Sequence, residues 1–272
     1  MNDSSPTAKR SAWQPFTFGG VAAFANASWS RLLLFELLVG AIVSASVVWF
    51  VAHNYSPVII QAIQKLPDEA LLKNSKLQGV PSQLLAETKF LSIAVDLDES
   101  GQIGQTAEFQ IELHESDFKI CSLLRSLLGC FVCDYPEGQN ILLTRSKLEP
   151  WWGAWQPVIL VATGAVVLFF LFLFWAILAA FYTAPVKMAA YFADRKLSWA
   201  ASWRLSSAAL MPGALLMALA VALYGLQLFD LIALGFFWGA HLLVGWIYLL
   251  ISPWRVSRTA AVELQKTNPF TT

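Results

Sequence analysis

The sequence predicts an α-helical integral membrane protein with four transmembrane helices and an extracytoplasmic α+β domain inserted between the first and the second. Three observations lead to this fold class: four long apolar segments, one polar segment of about a hundred residues, and an uneven distribution of charge along the chain. Hydrophobic residues make up 57% of the chain and charged residues only 13%. Soluble domains carry roughly 25% charged residues, so this composition is typical of a membrane protein.

The clearest apolar segment is residues 155–181, which we predict as the second transmembrane helix. From Pro157 to Phe181 no residue carries a charge. As a helix this stretch would be roughly 38 Å long, enough to cross a hydrocarbon layer of about 30 Å with some tilt. A helix that is apolar on every side suits a membrane better than the surface of a soluble domain.

Three further apolar segments predict the remaining spans. Residues 32–52 form the first, which we interpret as an uncleaved signal anchor because the apolar run follows a long polar leader. The third and fourth spans are residues 205–227 and 231–251. Only an outer turn, residues 228–230, separates these two, so they must be antiparallel neighbours.

The distribution of charge predicts the topology. The N-terminal arm 1–31, the connector 182–204 and the tail 252–272 together carry ten basic and three acidic residues, whereas residues 53–154 carry eight basic and thirteen acidic ones. Four spans place the three basic segments on one side, which the positive-inside rule makes cytoplasmic. We therefore expect a multi-pass protein of the bacterial cytoplasmic (inner) membrane with both termini inside. We expect the arm to lie along the inner membrane face, with its first dozen residues either following that face or forming a loose tail.

The polar segment 53–154 is predicted to fold as the extracytoplasmic α+β domain. Apolar residues at helical spacing predict an amphipathic helix over residues 56–66, ending at Pro67. Residues 90–96 and 107–113 predict two strands, and the turn-forming residues between them favour a hairpin. Residues 96–103 share ligand spacing with the start of a calcium loop, but the closing acid is absent, so we interpret them as an acidic turn without a metal.

The three cysteines of the chain, Cys121, Cys130 and Cys133, all lie in this domain. An extracytoplasmic compartment permits disulfides, so we expect Cys121 to pair with Cys130 or Cys133. The spacing of Cys130 and Cys133 matches a dithiol redox motif, but the βαβ pattern that accompanies such a motif is missing. Three cysteines without a fourth ligand do not form a structural zinc site. No metal and no cofactor are predicted.

The helical half contains several candidate site residues. Pro212 and Gly213 predict a kink in the third span. His241 lies near the centre of the fourth span, either as part of a functional site or as a neutral histidine bonded to a carbonyl or hydroxyl inside the bundle. Gly235 and Gly239 are four residues apart, as are Ala209 and Gly213, a spacing that lets helix backbones approach closely.

Glu36 is an acidic residue within the first span, near its cytoplasmic end. Two basic residues are expected at the same depth, because Arg204 begins the third span and Arg255 follows the fourth. A carboxylate below the headgroup level needs a partner. We therefore predict an ion pair between Glu36 and either Arg204 or Arg255.

Three stretches carry a resemblance to a known family: LPDEALLKNSKL after the first span, FLSIAVDLDESG, and ILLTRSKLEP before the second. With the order of the spans, they resemble the maltodextrin-utilisation-like family, a bacterial multispan membrane family of unknown function. The helical half is similar to the Yip-type multispan domain. The resemblance implies one span, an extracytoplasmic α+β domain and a bundle of further spans, often five spans in all where this chain has four. It assigns no functional residue.

These features lead to two functional hypotheses. The sequence contains no recognisable nucleophile–base pair, phosphate loop, metal cluster or cofactor motif. We therefore expect a non-enzymatic scaffold, accessory subunit or sensor that contacts the lipid bilayer, and a protein partner or second copy through Gly235, Gly239 and the outer domain, but no nucleic acid. The alternative is a small transporter or channel component with a broken-helix site at Pro212, Gly213 and His241. An enzyme of the outer face is the third hypothesis.

Overall fold

The computed structural model describes residues 15–98, 106–122 and 129–256. It divides into two compact units, one comprising the chain up to Val47 and from Gly164 onwards, the other Val48–Thr163. Within the described residues, four helices are long and apolar enough to cross a membrane. The prediction of four apolar helices and a separate domain that contains β-sheet is confirmed.

Six α-helices are described, and the two that contain the second and third predicted spans begin well before those spans. Their bounds in chain order are α1 (Phe18–Ala23), α2 (Trp29–Phe50), α3 (Ser56–Lys65), α4 (Arg145–Phe192), α5 (Trp199–Gly225) and α6 (Leu231–Ile251). A π-helical turn, Val51–Tyr55, joins α2 to α3 without a break, and short 3₁₀ turns follow α1 and α6. The predicted amphipathic helix after the first span is confirmed as α3.

The predicted connector 182–204 is much shorter in the structure, because α4 continues to Phe192 and α5 begins at Trp199. Hydropathy marks the part of a helix suited to hydrocarbon, whereas the helix itself continues to its next terminating signal. For α4 that signal is Asp194, whose φ of 55° lies in the left-handed region. The amide of Arg195 then bonds back to the carbonyl of Ala190 at 2.8 Å.

In the helical unit, α5 and α6 form an antiparallel pair joined by a short turn, as the sequence predicted. Each begins with a side-chain cap: Ser198 accepts from the amide of Ala201 at 3.1 Å, and Asp230 from that of Ala233 at 2.7 Å. Many small residues of α5 are fully buried, which brings its neighbours close. The core around it includes Leu205, Met211, Trp175 and Leu249.

The segment before α2 belongs to this core, a contact that the sequence analysis did not predict, and its position along the membrane face stays a prediction. Phe24 is fully buried, and its ring meets that of Phe35 edge-on at a centroid distance of 5.5 Å. Arg204 Nη2 donates to the carbonyl of Ala25 at 2.6 Å, and the Tyr248 hydroxyl donates to that of Phe16. These side-chain donors satisfy backbone carbonyls of the segment, so its apolar residues can be buried within the protein. Residues 1–14 lie outside the described residues.

The second unit contains α3 and two sheets. Antiparallel strands in the order β2-β1-β8 form the smaller sheet, from β1 (Leu71–Lys73), β2 (Lys76–Gln78) and β8 (Asn140–Leu142). The larger sheet runs in sequence order from β3 to β7, with bounds β3 (Gln83–Glu87), β4 (Leu91–Val95), β5 (Phe109–Leu113), β6 (Asp117–Ser122) and β7 (Cys130–Asp134). Helix α3 contacts β3 and β4, and its Val58 and Ala62 are part of the apolar core.

The two predicted strands at residues 90–96 and 107–113 exist as β4 and β5, but they do not form a hairpin. They pair in parallel, with Leu91 opposite Phe109 and Val95 opposite Leu113. Parallel neighbours cannot be joined by a tight turn, because the chain has to return to the end where the first strand began. The alternation of residues predicted the strands correctly, but it contains no information on their relative direction.

Candidate functional site

The helical unit contains an apolar, partly open cavity of about 210 Å³ to which α2, α4, α5 and α6 all contribute. Its lining includes Val43, Trp175, Tyr182, Ala214, His241 and Trp246. This volume exceeds the roughly 150 Å³ of an engineered cavity that binds benzene, but it is below the ~300 Å³ typical of sites for drug-sized ligands. It therefore suits one segment of a hydrocarbon chain.

The titratable side chains that line the cavity are Tyr182 and His241. The Tyr182 ring packs edge-on against Trp246 with centroids 5.3 Å apart. His241 Nδ1 is hydrogen-bonded to the backbone carbonyl of Trp238, one turn earlier on α6. A carbonyl accepts only, so Nδ1 is the donor of this hydrogen bond. The sequence analysis gave two alternatives for His241, a functional site or a bond to a carbonyl or hydroxyl, and the structure contains the bond to a carbonyl.

The broken-helix site of the transporter hypothesis is not formed, because α5 continues through Pro212 without interruption. Proline is tolerated inside membrane helices when neighbouring groups satisfy the freed backbone carbonyl. Gly213 is instead a packing contact: a Cβ added there would lie 2.5 Å from the carbonyl oxygen of His241. Gly213 and His241 are thus brought together, but through backbone packing of α5 against α6.

Gly235 and Gly239 do not mediate this packing. A Cβ built on either residue would meet nothing within 4 Å, whereas the backbone nitrogen of Gly245 lies 3.7 Å from a Cβ built on Gly213. The prediction that Gly235 and Gly239 bring helices of the same chain together is wrong, since α5 approaches α6 closer to the other end of α6. Their predicted contact with a partner or second copy stays a prediction.

Glu36 is buried in the helical unit, 3% exposed, and its Oε1 accepts a hydrogen bond from the Ser207 hydroxyl. The predicted ion pair is not formed. Arg204 lies one turn before Ser207 on α5, and its guanidinium carbon lies 5.4 Å from the centroid of the Trp29 ring. Arg255 is exposed in the 3₁₀ turn after α6. The Ser207 hydroxyl, one turn after Arg204 on α5, donates to Glu36. Arg204 donates instead to the carbonyl of Ala25.

The structure joins Cys121 to Cys130 and leaves Cys133 as a free, half-buried thiol. Strands β6 and β7 are antiparallel, and their register places Cys121 directly opposite Cys130. Cys133 instead faces Phe118 across the same pair of strands. Of the two pairings that the sequence left open, the first is therefore the one in the structure.

A buried polar row formed by β5 and the residue directly after it was missed by the sequence analysis. Gln110, Glu112 and His114 alternate with apolar residues, a pattern that predicts a solvent-facing polar side, yet each is at most 3% exposed. His114 Nε2 lies 3.6 Å from Glu112 Oε2. Within the described ranges, Gln110 Oε1 and both ring nitrogens of His114 have no hydrogen-bond partner. A signal was available in β4, where the consecutive apolar residues Ile93, Ala94 and Val95 indicate that both sides of the sheet are covered.

Near this row, the Tyr135 hydroxyl donates to the backbone carbonyl of His114 at 3.2 Å. Burial, together with the negative charge of Asp117, raises the pKa of Tyr135 well above its ordinary value. In the described part of the chain, no group of three or more His, Cys, Asp or Glu side chains is arranged to hold a metal ion. Ser100, Gly101 and Ile103 of the calcium-loop-like stretch lie outside the described residues.

No protein-family model, curated protein or solved structure matches this chain. The resemblance to the maltodextrin-utilisation-like family therefore stays a prediction. Function has to be argued from the geometry of the chain itself, and the cavity among the four long helices is the feature that offers a defined chemistry.

Proposed function

We propose that the protein is an integral protein of the bacterial cytoplasmic membrane that acts by binding, as a sensor or accessory subunit, and not by catalysis. Its helical unit receives a hydrocarbon segment in the cavity, and its extracytoplasmic domain meets a protein partner. The observation that carries the proposal is an apolar cavity lined by residues of all four long helices.

Membrane insertion is supported by what the long helices expose. Phe169 of α4 and Phe236 of α6 are 64% and 73% exposed. Burying an aromatic side chain is worth roughly 1.5–3 kcal/mol, so a row of such residues facing water would be strongly unfavourable. In a bilayer the lipid tails cover them. The excess of basic residues in the arm, connector and tail supports a cytoplasmic location for both termini.

Occupancy of the cavity by hydrocarbon is supported by its largely apolar lining, which includes Val43, Leu171 and Met217. Apolar atoms that face an empty space lose their dispersion contacts. An acyl or prenyl segment restores these dispersion contacts and needs no hydrogen-bond partner. The unbroken α5 favours this role over the transporter alternative, which requires a discontinuous helix.

The test is photolabelling of the detergent-solubilised protein with a diazirine-bearing fatty acid. Ala214→Leu fills the cavity from α5, whereas Ala176→Leu adds the same three carbons on an exposed position of α4 that does not line it. We expect Ala214→Leu to abolish most labelling of peptides from α4–α6, and Ala176→Leu to leave it unchanged. Equal labelling of both variants, with unaltered thermal stability, would contradict hydrocarbon binding in the cavity.

A further inference from the structure

A second groove in the helical unit lies apart from the cavity and is lined by tryptophan and small residues, and two basic residues contact its tryptophans. It has a volume of about 420 Å³, and its lining comes from α2, α4 and α5: Trp29, Ala180, Thr183, Trp199, Ala200 and Trp203. Trp29 and Trp203 pack against each other with ring centroids 5.2 Å apart. Trp29 and Trp199 are 47% and 61% exposed, so the groove offers large aromatic faces to whatever fills it.

Two cations are held against these aromatic walls. Lys187 Nζ lies 4.1 Å from the centroid of the Trp199 ring, and the Arg204 guanidinium carbon lies 5.4 Å from that of Trp29. Arg204 uses one Nη for the carbonyl of Ala25, while its Nε has no hydrogen-bond partner among the residues described. Cation–π contacts fix the position of each cation but leave its capacity for an anion largely unused.

No carboxylate among the described residues neutralises this pair. Glu36 is taken up by Ser207, and Asp194 is exposed beyond the end of α4. The groove is therefore a positively charged site with apolar walls. An anion that carries both a phosphate and hydrocarbon chains matches these properties, because the phosphate satisfies the cations and the chains cover the indole rings.

We propose that this groove binds the phosphate of an anionic phospholipid of the cytoplasmic leaflet. The inference rests on the proposed membrane location but not on the hydrocarbon-binding cavity. Tryptophan and basic residues are both favoured at the headgroup level, where the indole N–H is wet and the ring is apolar. Free phosphate would leave the three indole faces uncovered, so the chemistry of the groove favours a lipid as the source of the anion.

The experiment is native mass spectrometry of the full-length protein in detergent, titrated with short-chain phosphatidylglycerol or phosphatidylcholine. Lys187→Gln removes one cation and leaves Arg204 on Ala25. Lys196→Gln is the matched control, because this lysine is exposed in the connector outside the groove. We expect Lys187→Gln to weaken phosphatidylglycerol binding about fivefold, the effect of one basic residue near an anionic surface, and Lys196→Gln to leave it unchanged.

Three results would overturn the proposal: equal retention of phosphatidylcholine, an equal effect of Lys196→Gln, or displacement of phosphatidylglycerol by inorganic phosphate with the affinity of a phosphate site. Ala214→Leu separates this inference from the proposed function. We expect this variant to bind phosphatidylglycerol normally while losing the fatty-acid label. If the wild-type protein shows no preference for phosphatidylglycerol but is still labelled by the fatty acid, lipid binding in the groove is refuted and the proposed function is not. Release of the wild-type protein from membranes by alkaline carbonate refutes the membrane location.

Discussion

Glu36 and Ser207 form a side-chain hydrogen bond that is buried in the helical core. The carboxyl is 3% exposed and Ser207 is fully buried. A buried acceptor that loses its donor bears the full desolvation cost of the group, whereas removal of both partners can be nearly neutral. The pair therefore predicts strong coupling between two residues that are 171 positions apart in the chain.

We predict that Ser207→Ala destabilises the solubilised protein by about 1–3 kcal/mol, because it leaves the Glu36 carboxyl without its donor. The double variant Glu36→Leu, Ser207→Ala should recover much of this loss. The measurement is thermal or denaturant unfolding of the two single variants and the double variant. Ser206→Ala is a suitable control, since its hydroxyl donates to the Ser202 carbonyl within α5. Additive losses in the cycle would rule out the coupling.

Glu108, in the β-containing unit, predicts a dependence of stability on pH. It is 8% exposed, and this burial raises its pKa above the ordinary value, while nearby Lys89 offsets part of the rise. A raised native pKa means that the folded state binds the proton more tightly than the unfolded chain. The stabilisation by the protonated acid is complete below about pH 4.3, the ordinary glutamate pKa, and is lost as pH rises through the native pKa.

We therefore expect Glu108→Gln to raise the melting temperature at pH 7, where the wild-type carboxylate is disfavoured, and to have no such benefit below about pH 4.3. Melting curves of both proteins across this range test the prediction. Glu137→Gln makes the same change at an exposed turn residue and should show no such trend. A gain from Glu108→Gln that is independent of pH would contradict the assignment.

Among the elements, the α5–α6 pair depends on one glycine that has no room for a side chain. A Cβ at Gly213 would lie 2.5 Å from a backbone carbonyl on α6, and a backbone atom cannot move aside as a side chain can. Gly239 of α6 has open space at the same position. The two glycines thus form a matched pair, since both are helical and only one is at a close approach.

We predict that Gly213→Ala lowers stability by about 1–3 kcal/mol, the usual range for overpacking, because the two helices must separate. Gly239→Ala should be neutral or slightly stabilising, since alanine favours the helix. Unfolding of the two variants in the same detergent provides the comparison. If both substitutions changed the stability equally, the close approach of α5 to α6 at Gly213 would not explain the loss of stability in Gly213→Ala.

The sequence predicted those elements whose signals are local. Four apolar helices followed from hydropathy, and α3 followed from the spacing of Ile59, Ile60 and Ile63. The parallel pairing of β4 with β5 did not follow, because the relative direction of two strands depends on the connection between them and not on the residues within them. The burial of His114 was missed for a similar reason, since alternation reports which residues share a face and not what covers that face.

At the residue level the same limit applies to Glu36. Depth along the helices was estimated well, because α5 does supply its partner, but the choice between Arg204 and Ser207 depends on the rotation of α5 about its axis. Residues three apart lie on nearly the same helix face, so a small rotation decides which of them reaches the carboxyl. No pattern in a single sequence reports such a rotation.

For the molecule as a whole, the cysteines offer a direct measurement of the proposed topology. Cys133 is free, and the other two cysteines are held in one disulfide. If the β-containing unit is extracytoplasmic, an impermeant maleimide should label one cysteine per chain on intact spheroplasts, and reduction should add Cys130, which is partly exposed. Cys133→Ser should abolish the label before reduction. Labelling that appears only after lysis would invert the topology.

The hydrogen bond from Arg204 to the carbonyl of Ala25 joins residues that are 179 positions apart in the chain. This separation determines how long after Ala25 its partner is synthesised. At a synthesis rate of roughly 5–20 residues per second, about 10–40 s pass between the emergence of Ala25 and that of Arg204. During this interval the neighbouring Phe24 has none of its α5 contacts. The first described segment to leave the ribosome is therefore among the last to reach its final position, and a nascent chain arrested before α5 exposes an aromatic residue that the finished protein hides.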